Sequence, residues 1–322
     1  MEQWVDGRLG LTAEDAESLL IASRRLRELG RAKSELPLLS RAAELDGSSR
    51  MLKAAFQASV RASNFDVGEQ LLERIEVVIS NTAKDLAWLE TARAALLRRP
   101  VCPARMEQML AVRAPLAFDP VPNRICYILH NALPYASGGY ATRAQGIAAG
   151  LRKAGLDPIC VTRPGFPADL TGFSGVDVPP VQQVNGIPYH TIPYPDRKTV
   201  KGQAYFLASA KALKETFLAL RPSVVMAASN HITSLPAQIA AYELGIPFIY
   251  EVRGFWEVTR ISREPEFANT SQYAELAFLE ALSARKADHV FTLTEPMREE
   301  LISRGVDGDK ITLLPNSADP TL

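Results

Sequence analysis

The segments FLEALSARKADHVFTLT (278–294), MREELI (297–302) and KITLLPNSAD (310–319) decide the fold of this 322-residue chain. The first predicts a helix followed by a short apolar strand, and the second predicts another helix. The third predicts a strand that ends at a Pro-Asn turn. Helices that alternate with short apolar strands are typical of a parallel sheet whose faces are covered by helices.

The same alternation extends back to residue 124. Further strands are predicted for RICYILH (124–130), PICVT (158–162), SVVMAA (223–228) and PFIYEV (247–252). Helices are predicted at about 140–154, 202–220 and 235–244, and Asn185-Gly186 predicts a hairpin turn. With right-handed crossovers, this order predicts an α/β fold with a Rossmann-like, doubly wound parallel sheet over residues 123–322.

Residues 1–99 predict an all-α domain instead. Gly30 matches Asn64 and Leu38 matches Leu72 at a weak period of about 34 residues. This favours tetratricopeptide-like hairpins, with plain helical hairpins as an equal alternative. Either kind would stack into a surface for a protein partner or for self-association. The proline-rich residues 100–122 indicate a linker between the two domains.

The composition is that of a globular protein, with 47% hydrophobic and 22% charged residues. Lys+Arg and Asp+Glu number 36 each, which argues against nucleic acid as a partner. No apolar run reaches about 18 residues, and no signal-peptide pattern opens the chain. The three cysteines lack metal-type spacing. These features favour a cytoplasmic protein with reduced thiols and no metal site, and they leave peripheral membrane attachment open.

Ligands of doubly wound sheets bind at the carboxyl ends of the strands, so the residues that follow each strand are the site candidates. HNALPYASGGYATR (130–143) places Gly138 and Gly139 directly before a predicted helix, whose free amides favour an anion such as phosphate. A tight turn is the alternative. The segment lacks G-x-G-x-x-G spacing and no acidic residue ends the 158–162 strand, which argues against a nicotinamide enzyme.

With these segments, residues 124–319 resemble the first domain of the family 4 glycosyltransferases, two-domain sugar transferases with the GT-B fold. The resemblance implies transfer of a sugar, with retention, from a nucleotide-diphospho-sugar to a saccharide or glycolipid acceptor. It implies a role in surface polysaccharide synthesis at the inner face of the membrane. It also implies no metal and no cofactor, since the nucleotide sugar is a co-substrate.

The resemblance also assigns roles to the loop that contains the two glycines. Gly138 and Gly139 would contact the donor diphosphate or the acceptor, and Tyr140 and Arg143 would help to bind the acceptor. For Arg143, a solvated helix face is an equal alternative.

Two further loops carry the proposed catalytic residues. His231 would contact the sugar or the acceptor with Asn230 beside it, or else His231 would cap the following helix. Arg253 stands where many relatives have histidine; because a guanidinium cannot act as a base, Arg253 would serve as an electrostatic clamp. A structural pair between Arg253 and Glu251 is the alternative.

In the resembling family, a second domain follows the Pro-Asn turn and supplies most of the donor-binding residues, whereas six residues follow Asn316 here. The sequence therefore leads us to expect an acceptor-side fragment, or half of a split enzyme, that is inactive by itself. A non-catalytic scaffold that uses its helical domain is an alternative of a different class. A GT-B-fold epimerase that acts on a sugar nucleotide is a third.

Overall fold

A computed structural model describes residues 11–12, 14–31, 34–62, 64–80, 82–96, 100–173 and 175–317. The chain divides into two compact units, Met1–Arg99 and Pro100–Leu322. Within the described ranges, no helix is long and apolar enough to cross a membrane.

In the part of the first unit that the structure describes, all regular secondary structure is helical. Its helices are α1 (Asp15–Glu28), α2 (Glu35–Leu45), α3 (Ser49–Arg61), α4 (Phe65–Val78) and α5 (Ala83–Leu96). The Ser48 and Asn64 side chains cap α3 and α4 by accepting backbone N–H groups. The starts of α1, α3 and α5 (15, 49 and 83) are evenly spaced, 34 residues apart. The tetratricopeptide assignment stays a prediction.

Close packing of this unit depends on a small residue in α4. A Cβ atom on Gly68 would lie 2.9 Å from Ser59 Oγ and 3.1 Å from Leu96 Cδ2. The absence of a side chain at Gly68 therefore lets α4 approach α3 and α5.

The proline-rich segment 100–122, predicted as a linker, belongs to the second unit. It contains α6 (Pro103–Met109), and the Met106 side chain is fully buried in a cluster of apolar side chains of that unit. The Ala114 and Ala117 N–H groups donate to the carbonyl oxygens of Tyr242 and Leu244 at 2.9 and 3.0 Å. Prolines interrupt regular structure here, but the apolar side chains still bury against the sheet unit, so the segment packs as part of that unit.

The second unit is built around one eight-stranded sheet. Its strands are β1 (Arg124–Leu129), β2 (Asp157–Thr162), β3 (Val181–Val184), β4 (Ile187–His190), β5 (Val224–Ala228), β6 (Phe248–Val252), β7 (His289–Thr292) and β8 (Ile311–Leu313). The spatial order is β3-β4-β2-β1-β5-β6-β7-β8. All neighbours are parallel except the β3–β4 hairpin. The predicted α/β class and Rossmann-like sheet are confirmed, and the hairpin turns at Asn185 and Gly186 with φ of 50° and 79°.

Helices connect the strands and cover the sheet. They are α7 (Gly139–Lys153), α8 (Gly202–Leu220), α9 (His231–Glu243), α10 (Trp256–Ile261), α11 (Ser271–Lys286) and α12 (Glu295–Ser303). Helix α9 begins four residues earlier than the predicted start at 235, because the Asn230 side chain caps it by accepting the N–H of Ile232.

The apolar strands form the core, as their composition predicts. Cys126 and Cys160 are fully buried in β1 and β2, and burial raises the pKa of each thiol to about 12. Both therefore stay protonated and fill space as small apolar side chains.

Candidate functional site

The strand order reverses direction along the chain between β1 and β5. From β1 the chain proceeds outward to β2 on one side, and later elements β5 to β8 build the other side. A crevice forms at such a switch point, beyond the carboxyl ends of the strands. His130 follows β1, Asn230 and His231 follow β5, and Arg253 follows β6. Because these strands are parallel, all four residues lie at the same edge of the sheet.

The two glycines lie at the start of α7, at this edge. Gly138 is the N-cap residue and Gly139 is the first helical residue, and no side chain caps the helix. Among the residues that the structure describes, apart from chain neighbours and the helix's own backbone, no atom would lie within 4 Å of a Cβ atom on either glycine. The loop is therefore open to a ligand, and the unpaired amides of α7 suit an anion there.

Arg253 lies in a buried ion pair. Its Nη2 donates to Glu251 Oε2 at 2.8 Å and also to the Tyr127 hydroxyl, which in turn donates to the same carboxylate oxygen. Its Nη1 donates to the Tyr140 carbonyl oxygen at 2.7 Å. The pairing of Arg253 with Glu251 that the sequence offered as a structural alternative is therefore present, and it also attaches the start of α7 to β6.

Glu251 remains charged despite its complete burial. Burial would raise the pKa of this carboxyl group, but the charge and hydrogen bond of Arg253 outweigh burial, with Tyr127 and Arg143 adding to their effect, and the pKa is lowered. Burial, and then the Glu251 charge, raises the pKa of Tyr127 well above its usual value. The phenol thus stays protonated and donates to an ionised Glu251.

Arg143 connects this network to the Pro-Asn turn. Its Nε donates to Glu251 Oε1 at 2.9 Å. Its Nη2 donates to the Leu314 carbonyl oxygen at 2.7 Å, and its Nη1 donates to the Pro315 carbonyl oxygen at 3.0 Å and to Asn316 Oδ1 at 3.1 Å. The side chain is only 12% exposed. Arg143 is therefore an internal crosslink rather than part of a solvated helix face.

His231 and Asn230 lie beside each other but make different contacts. Asn230 caps α9, as described above. The His231 backbone N–H donates to Glu280 Oε2 at 2.9 Å, and its Nδ1 lies 3.3 Å from the same oxygen. The Tyr250 hydroxyl also donates to Glu280. Glu280 therefore docks α11 against the start of α9, and the His231 side chain is 9% exposed at this junction.

Two residues at this edge were missed as site residues by sequence reasoning, His130 and Trp256. His130 Nδ1 lies 3.0 Å from Thr233 Oγ1, and its ring meets Trp256 edge-on at 5.1 Å between centroids. Burial, and then the charges of Arg163 and Arg197, lower the pKa of His130 well below its usual value, so the imidazole is neutral. The sequence signal that could have identified them is position, because His130 directly follows β1 and Trp256 lies four residues after the end of β6.

The groups at this edge can bind a ligand by amides, aromatic rings and a neutral imidazole. No cluster of three or more metal-ligating side chains occurs among the residues that the structure describes.

Comparisons place the sheet unit among known proteins. Residues 138–317, more than half of the chain, match the family described as Glycosyl transferase 4-like domain. No curated protein matches the chain.

Several solved structures share parts of the fold at low similarity. UDP-GlcNAc 2-epimerase from Methanocaldococcus jannaschii is 15% identical over 60% of this chain and 45% of its own, with a TM-score of 0.41. Sucrose-phosphate synthase from Thermosynechococcus elongatus is 12% identical over 61% of this chain and 90% of its own, with a TM-score of 0.41. MurG from Acinetobacter baumannii is 15% identical over 62% of this chain and 47% of its own, with a TM-score of 0.35. The chain thus matches less than half the length of the epimerase and of MurG.

Proposed function

Because the chain belongs to the glycosyl transferase 4-like family, we propose that its sheet unit binds the acceptor in a sugar-transfer reaction. The donor would be a nucleotide-diphospho-sugar, the acceptor a saccharide or glycolipid, and transfer would proceed with retention. The observation that carries the proposal is the open Gly138-Gly139 loop at the switch point of the sheet, within the family segment.

The chemistry of transfer requires positive potential near the leaving diphosphate and support for a sugar with oxocarbenium character. In this proposal the α7 amides at Gly138 and Gly139 face the anion. Arg253 contributes positive charge while Glu251 fixes its position, and Arg143 fixes the start of α7. Positioning by a rigid buried network is the property that preorganised sites need.

We propose that His231 contacts the sugar or the acceptor and that Asn230 beside it helps to bind the substrate. Their backbone is fixed by Glu280 and by the cap of α9, so the loop after β5 has a defined shape. Surface polysaccharide synthesis as the biological context rests on the family resemblance.

Binding to a glycan array tests acceptor binding by the 322-residue chain directly. The Gly139→Val variant should lose binding, because the new side chain enters open space and fills the loop without a steric clash. The matched control is Gly150→Val on the same helix, where a Cβ is equally unhindered, about three turns away. Absence of glycan binding by the wild-type chain, or equal binding by both variants, would contradict the proposal.

A separate assay tests whether the chain transfers sugar by itself. We expect no release of nucleoside diphosphate when the chain is incubated with nucleotide sugars and an acceptor that it binds. Detection of release would overturn the prediction of inactivity while supporting the transferase assignment.

For the helical unit we propose a partner-docking or self-association role. The even 34-residue spacing of α1, α3 and α5 supports this, as does an apolar groove of about 190 Å³ lined by residues that include Phe56, Val60 and Trp88. Trp88→Ala should lower the self-association measured by sedimentation if the groove joins copies of the chain. Should the wild-type chain be monomeric at every concentration, self-association is excluded and a different partner is required.

A further inference from the structure

Two large aromatic side chains are exposed side by side at the candidate site. Tyr140 is 45% exposed at the start of α7, and Trp256 is 38% exposed at the start of α10. Their ring centroids are 6.4 Å apart, and their planes are inclined at 53°. Exposed aromatic surface is unfavourable in water, so an adjacent pair at a crevice is a candidate for ligand contact.

Neighbouring groups fix the backbone of Tyr140 and contact the ring of Trp256. The Tyr140 carbonyl oxygen accepts from Arg253, and a Cβ atom on Gly254 would lie 3.6 Å from the Tyr140 hydroxyl. Trp256 packs against the His130 ring, which Thr233 orients. The positions of both residues are therefore largely set before a ligand arrives, so the protein loses little conformational entropy on binding.

The chemistry of the surroundings limits the class of ligand. The aromatic faces carry negative charge density and attract weakly positive C–H groups. Polar groups lie beside them: the helix start at Gly138 and Gly139, which no side chain caps, and the imidazole of His130, which contacts Trp256. A ligand with an apolar C–H face and a hydroxylated rim fits both features, whereas a lipid chain would leave the polar groups unsatisfied.

The inclination of the two rings favours a sugar over a nucleobase as the ligand. Two rings at 53° cannot both lie parallel to one flat base. A pyranose chair presents C–H bonds in several directions and can contact both rings.

We propose that Trp256 and Tyr140 form an aromatic platform that packs against a pyranose ring of the acceptor. This inference rests on the proposed function and deepens it, because it names Trp256 and Tyr140 as the residues that contact the sugar ring of the acceptor.

The test is ligand-observed saturation-transfer NMR on the 322-residue chain. The probes are the methyl glycosides of glucose, galactose, mannose and N-acetylglucosamine, with UMP as the planar probe. We expect saturation of the ring C–H protons of at least one glycoside. Trp256→Ala should weaken binding of that glycoside about tenfold, as loss of an aromatic contact does. Trp256→Phe, which keeps an aromatic face, should stay within about threefold of the wild type.

The matched control is Leu218→Ala, which truncates another exposed apolar side chain, 46% exposed, near the far end of α8. It should bind like the wild type, and circular dichroism should show all variants folded. Full binding by Trp256→Ala would overturn the platform while leaving the proposed function intact. Saturation transfer to UMP but to none of the glycosides would also overturn the platform. If the wild-type chain binds neither these glycosides nor any glycan on the array, both the platform and the proposed function are refuted.

Discussion

Replacing Glu251 by Gln should strongly destabilise the sheet unit. The carboxylate is completely buried and is shared by Arg253, 3% exposed, and Arg143, 12% exposed. Glutamine keeps the shape but leaves two largely buried guanidinium groups without their counterion. Breaking a buried pair in this way costs about 3–5 kcal/mol. A typical domain is stable by only about 5–15 kcal/mol, so the variant should be marginal.

Urea unfolding followed by tryptophan fluorescence measures this change if the fluorescence reports on the sheet unit alone. Replacing Trp4 and Trp88 by Phe leaves Trp256 as the remaining tryptophan of the chain. With a denaturant slope of about 2–3 kcal/mol per molar urea, the midpoint should fall by about 1–2.5 M.

The matched control is Glu243→Gln, whose partner Lys214 forms an exposed ion pair with it at 2.8 Å. This change should cost less than about 1 kcal/mol. In the double variant Glu251→Gln/Arg253→Met, part of the loss should be recovered, since one unpaired charge is gone. If Glu251→Gln unfolds at the same urea concentration as Glu243→Gln, the buried network does not stabilise the fold as argued.

Two further predictions concern pH and backbone shape. Below pH 6.5 the folded state holds His130 neutral, whereas the unfolded state binds a proton on this imidazole. The unfolding free energy is therefore insensitive to His130 above pH 6.5 and decreases as the pH falls below it. His130→Gln should flatten the decline in unfolding free energy between about pH 7 and 5 by up to about 1.4 kcal/mol per pH unit, and an unchanged slope would refute a neutral His130. Gly245→Ala should cost about 2–4 kcal/mol in thermal or urea unfolding, because φ is +74° and the new Cβ would lie 2.5 Å from Leu116 N. Gly146→Ala, in open space on α7, should instead stabilise by about 0.5–1 kcal/mol, and similar effects at both glycines would contradict the role of backbone shape.

The sequence predicted the main strands and helices well where apolar periodicity was strong. Helix α8 occupies the predicted residues 202–220, and the hairpin turns at the predicted Asn185-Gly186. These features depend on local patterns of apolar residues and turn residues, which a sequence displays directly.

Features that depend on distant contacts were predicted less well. The segment 100–122 packs onto the sheet unit because its apolar side chains find partners about one hundred residues away, such as Tyr205 and Tyr242. Proline content indicates only that regular structure is interrupted there. Likewise, His130 and Trp256 come together from segments more than one hundred residues apart, and no local pattern relates them.

Local pattern alone therefore determined the fold class, the family resemblance and the edge of the sheet where candidate residues gather. It did so because strand polarity places all loops that follow parallel strands at one edge. Tertiary structure decided which of those residues bind one another and which face solvent. Arg143 contacts Glu251 across 108 positions of the chain and turns inward, whereas Tyr140, three residues earlier, stays exposed beside Trp256. Ion pairs and ring contacts depend on distances in space, and those distances exist only once the sheet has assembled.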